Sequence, residues 1–187
     1  MKREVEYFEA AGEENTKKCL EIVEKFAGDY PDVVVASTRG ETGLLFAEKL
    51  GKKTNLVVVT HNYGFKEPNT IEMSEATKNK IIELGGKIFT GTILTYSLEK
   101  SFAENYQGTY PTIMIADTFR RLGQGMKVCA EIVMEAADAG LIEEGKDVIA
   151  VAGTHAGADT VCIVKSAISR RFLDLKIREI LAKPREF

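Results

Sequence analysis

Cysteine is scarce in this chain. Its 187 residues hold three, Cys19, Cys129 and Cys162, far apart and odd in number. No CxxC pair and no Cys/His spacing joins them, which argues against a disulfide framework and a structural zinc site. Each stands among apolar neighbours, as in Val128-Cys129-Ala130. The expectation is small buried hydrophobes rather than reactive thiols. A large excess of either charge is also missing. The formal net charge is -3, so nothing draws the whole molecule to nucleic acid or to an anionic membrane, and any anion site must be local. Long apolar runs are absent. The start, Met1-Lys2-Arg3-Glu4-Val5-Glu6, is charged, and no stretch approaches the length of a membrane span. A cytoplasmic protein is expected, with neither nucleic acid nor membrane as partner. Linkers, repeats and low-complexity tracts are missing too. At 44% hydrophobic and 28% charged residues, the chain suits one globular domain over residues 1–187.

Familiar catalytic spacings are equally absent. There is no GxxxxGK[ST], no GxGxxG, no nucleophile elbow and no pair of carboxylates at an evident catalytic spacing. The two histidines, His61 and His155, have no third ligand at a metal-like spacing, so no metal is expected.

What is present is an alternation of period. Runs of apolar and β-branched residues at 33–36, 55–60, 88–89, 147–152 and 161–164 read as buried strands. Shorter strand signals lie at 5–8 and 175–181, the latter with alternating charges that suggest a sheet edge. Helical patterns separate them. One follows caps at 13–16 and ends at Gly28, and one runs from about 40 to 50 with Gly51 as its stop. Asn69 and Glu72 resemble a capping box for a third. Two short helices are expected within 97–123, broken at 108–111. A strong helix follows at 126–139, with Cys129, Ile132, Val133 and Ala136 on one stripe. The fold class that follows is α/β: three layers, doubly wound about a mostly parallel sheet.

In such a sheet, ligands sit beyond the carboxyl ends of the strands. The clearest candidate is Ser37-Thr38-Arg39-Gly40-Glu41-Thr42, where an apolar strand stops at hydroxyls, a cation and a glycine and a helix begins. Free amides and the helix dipole favour an anion there. Arg39 can fork onto phosphate oxygens, Gly40 admits close approach, and Glu41 should point away. Lacking both Walker and dinucleotide spacing, the loop suits a phosphomonoester. The bland alternative is a strand-to-helix turn with one capping hydroxyl.

Residues 153–160 place small residues and two glycines after a strand, leaving room for a flat group. Asp159 could accept from a ring edge or cap a turn. His61 and His155, each just past a strand end, could act as acid and base or simply hydrogen-bond. Tyr63 and Phe65 could stack on a ring or anchor their loop. Arg120 and Arg121, ahead of Gly123-Gln124-Gly125, could meet an anion at another helix start or stay solvated. Nothing singles out Lys165 as a Schiff-base lysine.

Three segments, VVVASTRGETGLLFA at 33–47, NLVVVT at 55–60 and DVIAVAGTHAGADTVCIVKSA at 147–167, resemble the C-terminal α/β domain of pyruvate kinase. The likeness is strongest to small stand-alone proteins with that fold. It implies no kinase activity, because the catalytic barrel is absent. It does imply flavin mononucleotide (FMN) as cofactor. The phosphate would lie on Ser37, Thr38, Arg39, Gly40 and Thr42. The ring would lie against His61, Asn62 and Gly64, against Gly91 and Thr92, against Gln124 and Gly125, and against Gly153, Thr154, Ala158 and Asp159. Where the kinase has further phosphate-holding residues, this chain has 154–159, which disfavours a sugar bisphosphate. Relatives pair through such domains, so a homo-oligomer is among the expectations. Two functions remain open: an FMN protein, with flavin-dependent oxidoreduction as an activity open to it, and a non-catalytic sensor of a phosphorylated metabolite.

Overall fold

The computed structural model describes residues 2–187. Its strands are β1 (Glu6–Ala10), β2 (Asp32–Ala36), β3 (Asn55–Thr60), β4 (Lys87–Thr90), β5 (Asp147–Ala152), β6 (Thr160–Lys165) and β7 (Lys176–Glu186). Its helices are α1 (Thr16–Phe26), α2 (Glu41–Leu50), α3 (Glu75–Glu83), α4 (Leu98–Asn105), α5 (Pro111–Arg120) and α6 (Gln124–Asp138). All seven strands form one sheet in the order β1-β7-β6-β5-β2-β3-β4. β5, β2, β3 and β4 run parallel. β6 is antiparallel to both its neighbours, and β1 joins β7 in parallel.

The alternation of side chains along each strand sorts the core into two layers. Val33, Val35, Leu56, Val58, Ile149 and Val151 face one way, against α1 and α2. Val34, Val57, Val59, Val148, Ala150 and Ala152 face the other, against α6. Strands covered on both faces need apolar residues at every position, hence the unbroken valine runs. α2 approaches β3 closely because Gly43 has no side chain. A Cβ there would lie 2.6 Å from Val58 Cγ1.

The chain leaves β2 for β3 in one direction, while β5 lies on the other side of β2. The β2/β5 boundary is therefore the switch point, where the loops after two adjacent parallel strands part and open a crevice.

Some local expectations are corrected. Ser74, not Asn69, caps α3: its Oγ accepts from Thr77 N at 3.1 Å. Asn69 instead takes a left-handed turn conformation (φ 60°). Asn15 stands before α1 without a capping side-chain bond. Its amide donates back to Ala10 O and Gly12 O. α6 begins at Gln124, two residues earlier than its apolar stripe suggests. β7 is an interior strand, not an edge. Its charges have a physical cause all the same, because β1 pairs only with residues 182–186. The first half of β7 therefore has β6 on one side alone, and there Arg178 meets Asp147 while Glu179 meets Arg3.

Candidate functional site

The switch-point crevice is a cavity of about 780 Å³, a size suited to a small-molecule ligand. Four segments supply much of its wall. Ser37, Thr38, Arg39, Glu41 and Thr42 come from the β2–α2 turn. Gly153 to Gly157 come from the loop after β5, and His61 and Phe65 from the loop after β3. Gln124, Lys127, Glu131 and Glu135 come from one face of α6.

At the first wall, Gly40 takes the N-cap position of α2 in a left-handed conformation (φ 100°) and contributes no side chain to the cap. Ser37 supplies the missing acceptor, its Oγ lying 3.0 Å from Gly43 N. One hydroxyl thus serves the helix, as the bland alternative required. Among the hydrogen bonds of the described residues, none satisfies the amides of residues 38–42. Thr38 and Thr42 are also without protein partners there and line the cavity. Free amides at a helix start, flanked by hydroxyls and by Arg39, are what an anion requires. Glu41 does not point away as expected. Its Oε1 lies 3.3 Å from Arg39 Nε on the exposed lip. An exposed pair of this kind is weak, so Arg39 can be drawn to a stronger acceptor.

The loop after β5 is held from within. Asp159 is fully buried and accepts from Thr154 N at 3.0 Å, Gly12 N at 3.3 Å and Thr160 Oγ1 at 2.7 Å. Of the two roles its position allows, it performs the turn cap. It lies outside the cavity lining, as do Ala158 and Gly125. The glycines here serve chain packing. A Cβ on Gly125 would lie 2.6 Å from Thr160 Cβ, and one on Gly153 2.7 Å from Gly157 O. The loop also leaves one polar atom without a partner. Thr154 lines the cavity, and its Oγ1 is buried with no hydrogen-bond partner. Such an orphan calls for a partner that the chain does not supply.

The two histidines reach the same cavity. His61 is tied to the protein: Nδ1 is 3.4 Å from Glu72 Oε1, and its ring centroid is 4.2 Å from that of Phe65. Phe65 stacks in turn on Tyr96 at 5.6 Å. Phe65 thus anchors an aromatic flank that also borders the cavity. His155 is exposed, in a left-handed conformation (φ 63°). Asn62, Gly64, Gly91 and Thr92 do not line the cavity, and neither does Gly40. Ile93 and Tyr96, next along the chain from Thr92, take the place expected of the β4 loop. Arg120 lines the wall with Nε on Gln124 Oε1 at 2.8 Å and Nη1 on Asp117 at 2.7 Å. Arg121 is outside the lining. The cysteines are all free and buried, and burial pushes the Cys19 and Cys129 thiols up, away from the reactive thiolate.

The sequence offered no hint of three further residues. Lys127, Glu131 and Glu135 line the cavity, yet are only 5%, 4% and 3% exposed. Spaced four apart, they share one side of α6. Lys127 Nζ pairs with Glu131 Oε2. Glu131 Oε1 accepts from Thr95 N at 2.7 Å and Thr95 Oγ1 at 2.6 Å, and Glu135 Oε1 accepts from Leu94 N at 3.4 Å. Burial, then the neighbouring Glu131 charge, push the Glu135 carboxyl up to about 9. It therefore holds its proton at neutral pH.

No described helix is long and apolar enough to cross a membrane. Compared with known families, the chain matches the model of the pyruvate kinase alpha/beta domain over residues 18–164. The match spans most of the chain, and the protein belongs to that family.

Proposed function

From membership of that family as premise, we propose that the protein binds FMN in the switch-point cavity, with the phosphate on the β2–α2 turn. The observation that carries this reading is the run of unsatisfied amides at residues 38–42, beside Thr38, Thr42 and Arg39, opening into a cavity far larger than a phosphate. The residues fit the group. The turn suits a phosphomonoester, and Thr154 and Gln124 add polar residues to the lining. The aromatic flank of Phe65 and Tyr96 borders a space suited to a flat ring. When bound, FMN supplies redox chemistry of its own, and the protein's part is to hold and tune it. The absence of a nucleophile elbow or triad among the lining residues accords with that division of labour.

The test is an absorbance spectrum of the purified chain, followed by titration of the stripped protein with FMN. A flavin spectrum that survives dialysis, or saturable uptake with quenching of flavin fluorescence, is expected. Arg39→Ala should weaken uptake by about tenfold, the scale of one charge-assisted contact. A colourless protein that takes up no FMN but is stabilised against heat by a phosphosugar overturns this reading in favour of a metabolite sensor.

A further inference from the structure

Burying one lysine and two glutamates beside each other is costly unless each is paired or neutralised. Here the row accounts for its charge almost fully: Lys127 offsets Glu131, and Glu135 is neutral with its proton on. It does not account for its hydrogen bonds. Lys127 makes one bond of its possible three. The second oxygen of Glu135 has no partner among the described residues, although the side chain lies at the cavity wall. What the row presents is therefore unused donors without net charge. Thr154, whose buried hydroxyl lacks a partner, belongs to the lining of the same cavity.

We propose that Lys127, Glu131 and Glu135 form a second subsite in this cavity, which takes the uncharged, acceptor-bearing end of the ligand, a carbonyl or imide oxygen, with Glu135 O–H and Lys127 N–H as donors. A carboxylate is a poor fit, because Glu131 offsets the only cation of the row. A second phosphate is poorer still. A neutral carbonyl supplies the missing acceptor without adding charge. Glu131 is a positioning residue: it pairs with Lys127 and fixes Thr95 of the β4–α4 segment against α6. The inference rests on the proposed cavity ligand, but not on its phosphate.

The donor role has a pH limit. Glu131, Lys127 and Asp138 act on Glu135 from its own helix. Arg120 on α5, with His61, Tyr96 and Glu13 from other parts of the wall, are the other titratable or charged groups of the lining outside the β2–α2 turn and the loop after β5, which contribute Arg39, Glu41 and His155. Glu135 donates below about pH 9 and cannot donate once ionised above it.

The test uses the full chain with glutamate carboxyls labelled with carbon-13. The Glu135 resonance is assigned by its loss in Glu135→Gln. Inorganic phosphate, uracil, riboflavin and FMN are titrated in turn. Uracil or riboflavin, and FMN, should move the Glu135 resonance, whereas phosphate should not. Glu135→Leu should weaken riboflavin and FMN equally, by about tenfold, as expected for a lost buried hydrogen bond. Glu135→Gln, which keeps an N–H donor, should bind within about threefold of the parent. It should also lose the fall in affinity above about pH 9. If FMN binds through its phosphate but the resonance and the Glu135→Leu affinities do not change, the subsite is refuted and the phosphate cradle stands. If riboflavin or uracil moves the resonance and FMN gains nothing over riboflavin, the cradle fails and the subsite stands. If no probe moves the resonance, the subsite is overturned.

Discussion

Replacing Glu135 by glutamine should make the protein more stable, and increasingly so as pH rises. Glutamine matches the protonated acid in shape and keeps an oxygen for Leu94 N–H. The two proteins should therefore be close in stability below about pH 4.5, the ordinary carboxyl value from which Glu135 is raised to about 9. Between those limits the folded parent holds a proton that the unfolded chain has released. Folding then takes up a proton, and stability falls with pH until the folded group itself ionises. At neutral pH the gap is about 2.5 units, worth about 3.5 kcal/mol at roughly 1.4 kcal/mol per unit. With a urea dependence of about 2 kcal/mol per molar, the unfolding midpoint of Glu135→Gln should lie about 1.7 M above that of the parent. The assay is paired urea unfolding across the range from pH 5 to about pH 9. All other titrations are common to both proteins and cancel in the difference. Parallel curves across that range would refute the buried, protonated Glu135 and with it the donor face of α6.

Four further outcomes follow from the geometry. Ser37→Ala removes the acceptor for Gly43 N and should lower stability by about 1 kcal/mol, read as a lower thermal midpoint. Thr38→Ala, whose hydroxyl has no protein partner, should leave the midpoint in place while weakening phosphate binding. Gly125→Ala drives a methyl to 2.6 Å from Thr160 Cβ, and α6 must shift off β6 at a cost of about 1–3 kcal/mol. Denaturant unfolding would show it, and an unchanged midpoint would contradict the close packing. Phe46→Ala empties a fully buried site between α2 and the sheet and should cost about 3–5 kcal/mol, enough to shift the denaturation midpoint strongly.

The layers of the fold were legible because burial on both faces leaves a direct mark. Val33, Val34 and Val35 all point into core, and no other arrangement accepts such a run so readily. Boundaries were harder. Asn69 and Glu72 have capping-box spacing, but Ser74 and Thr77 stand nearer the buried turn that Ile81 defines, and packing decides between them. The position of β7 was illegible for a similar reason. Its alternating charges record the lack of a second neighbour for residues 176–180, a fact about β1 rather than about β7. At the switch point, hydroxyls and Arg39 marked the turn where β2 ends at the cavity. The glycines misled, since a glycine required by a ligand and one required by a neighbouring strand look alike. Gly125, packed on Thr160 of β6 and outside the cavity lining, is of the second kind.

The row on α6 was hidden by its own regularity. Lysine and glutamate four apart, opposite an apolar stripe, are the ordinary dress of a helix that faces water. Sequence period tells which residues share a side of a helix; it does not tell what covers that side. Here the β4–α4 segment turns back over α6, and Glu131 and Glu135 receive the amides of Thr95 and Leu94 that such a turn exposes. That contact encloses the polar side of α6 within a cavity wall. Twelve of the fifteen residues of α6 are buried as a result, where a solvated helix would bury about half. The same enclosure that hid the row also gives it chemical consequence. In water a glutamate ionises and a lysine is screened. Under the β4–α4 cover the acid keeps its proton and the ammonium keeps its counter-ion. A helix face that would have repelled a neutral ring edge then becomes one that can hold it.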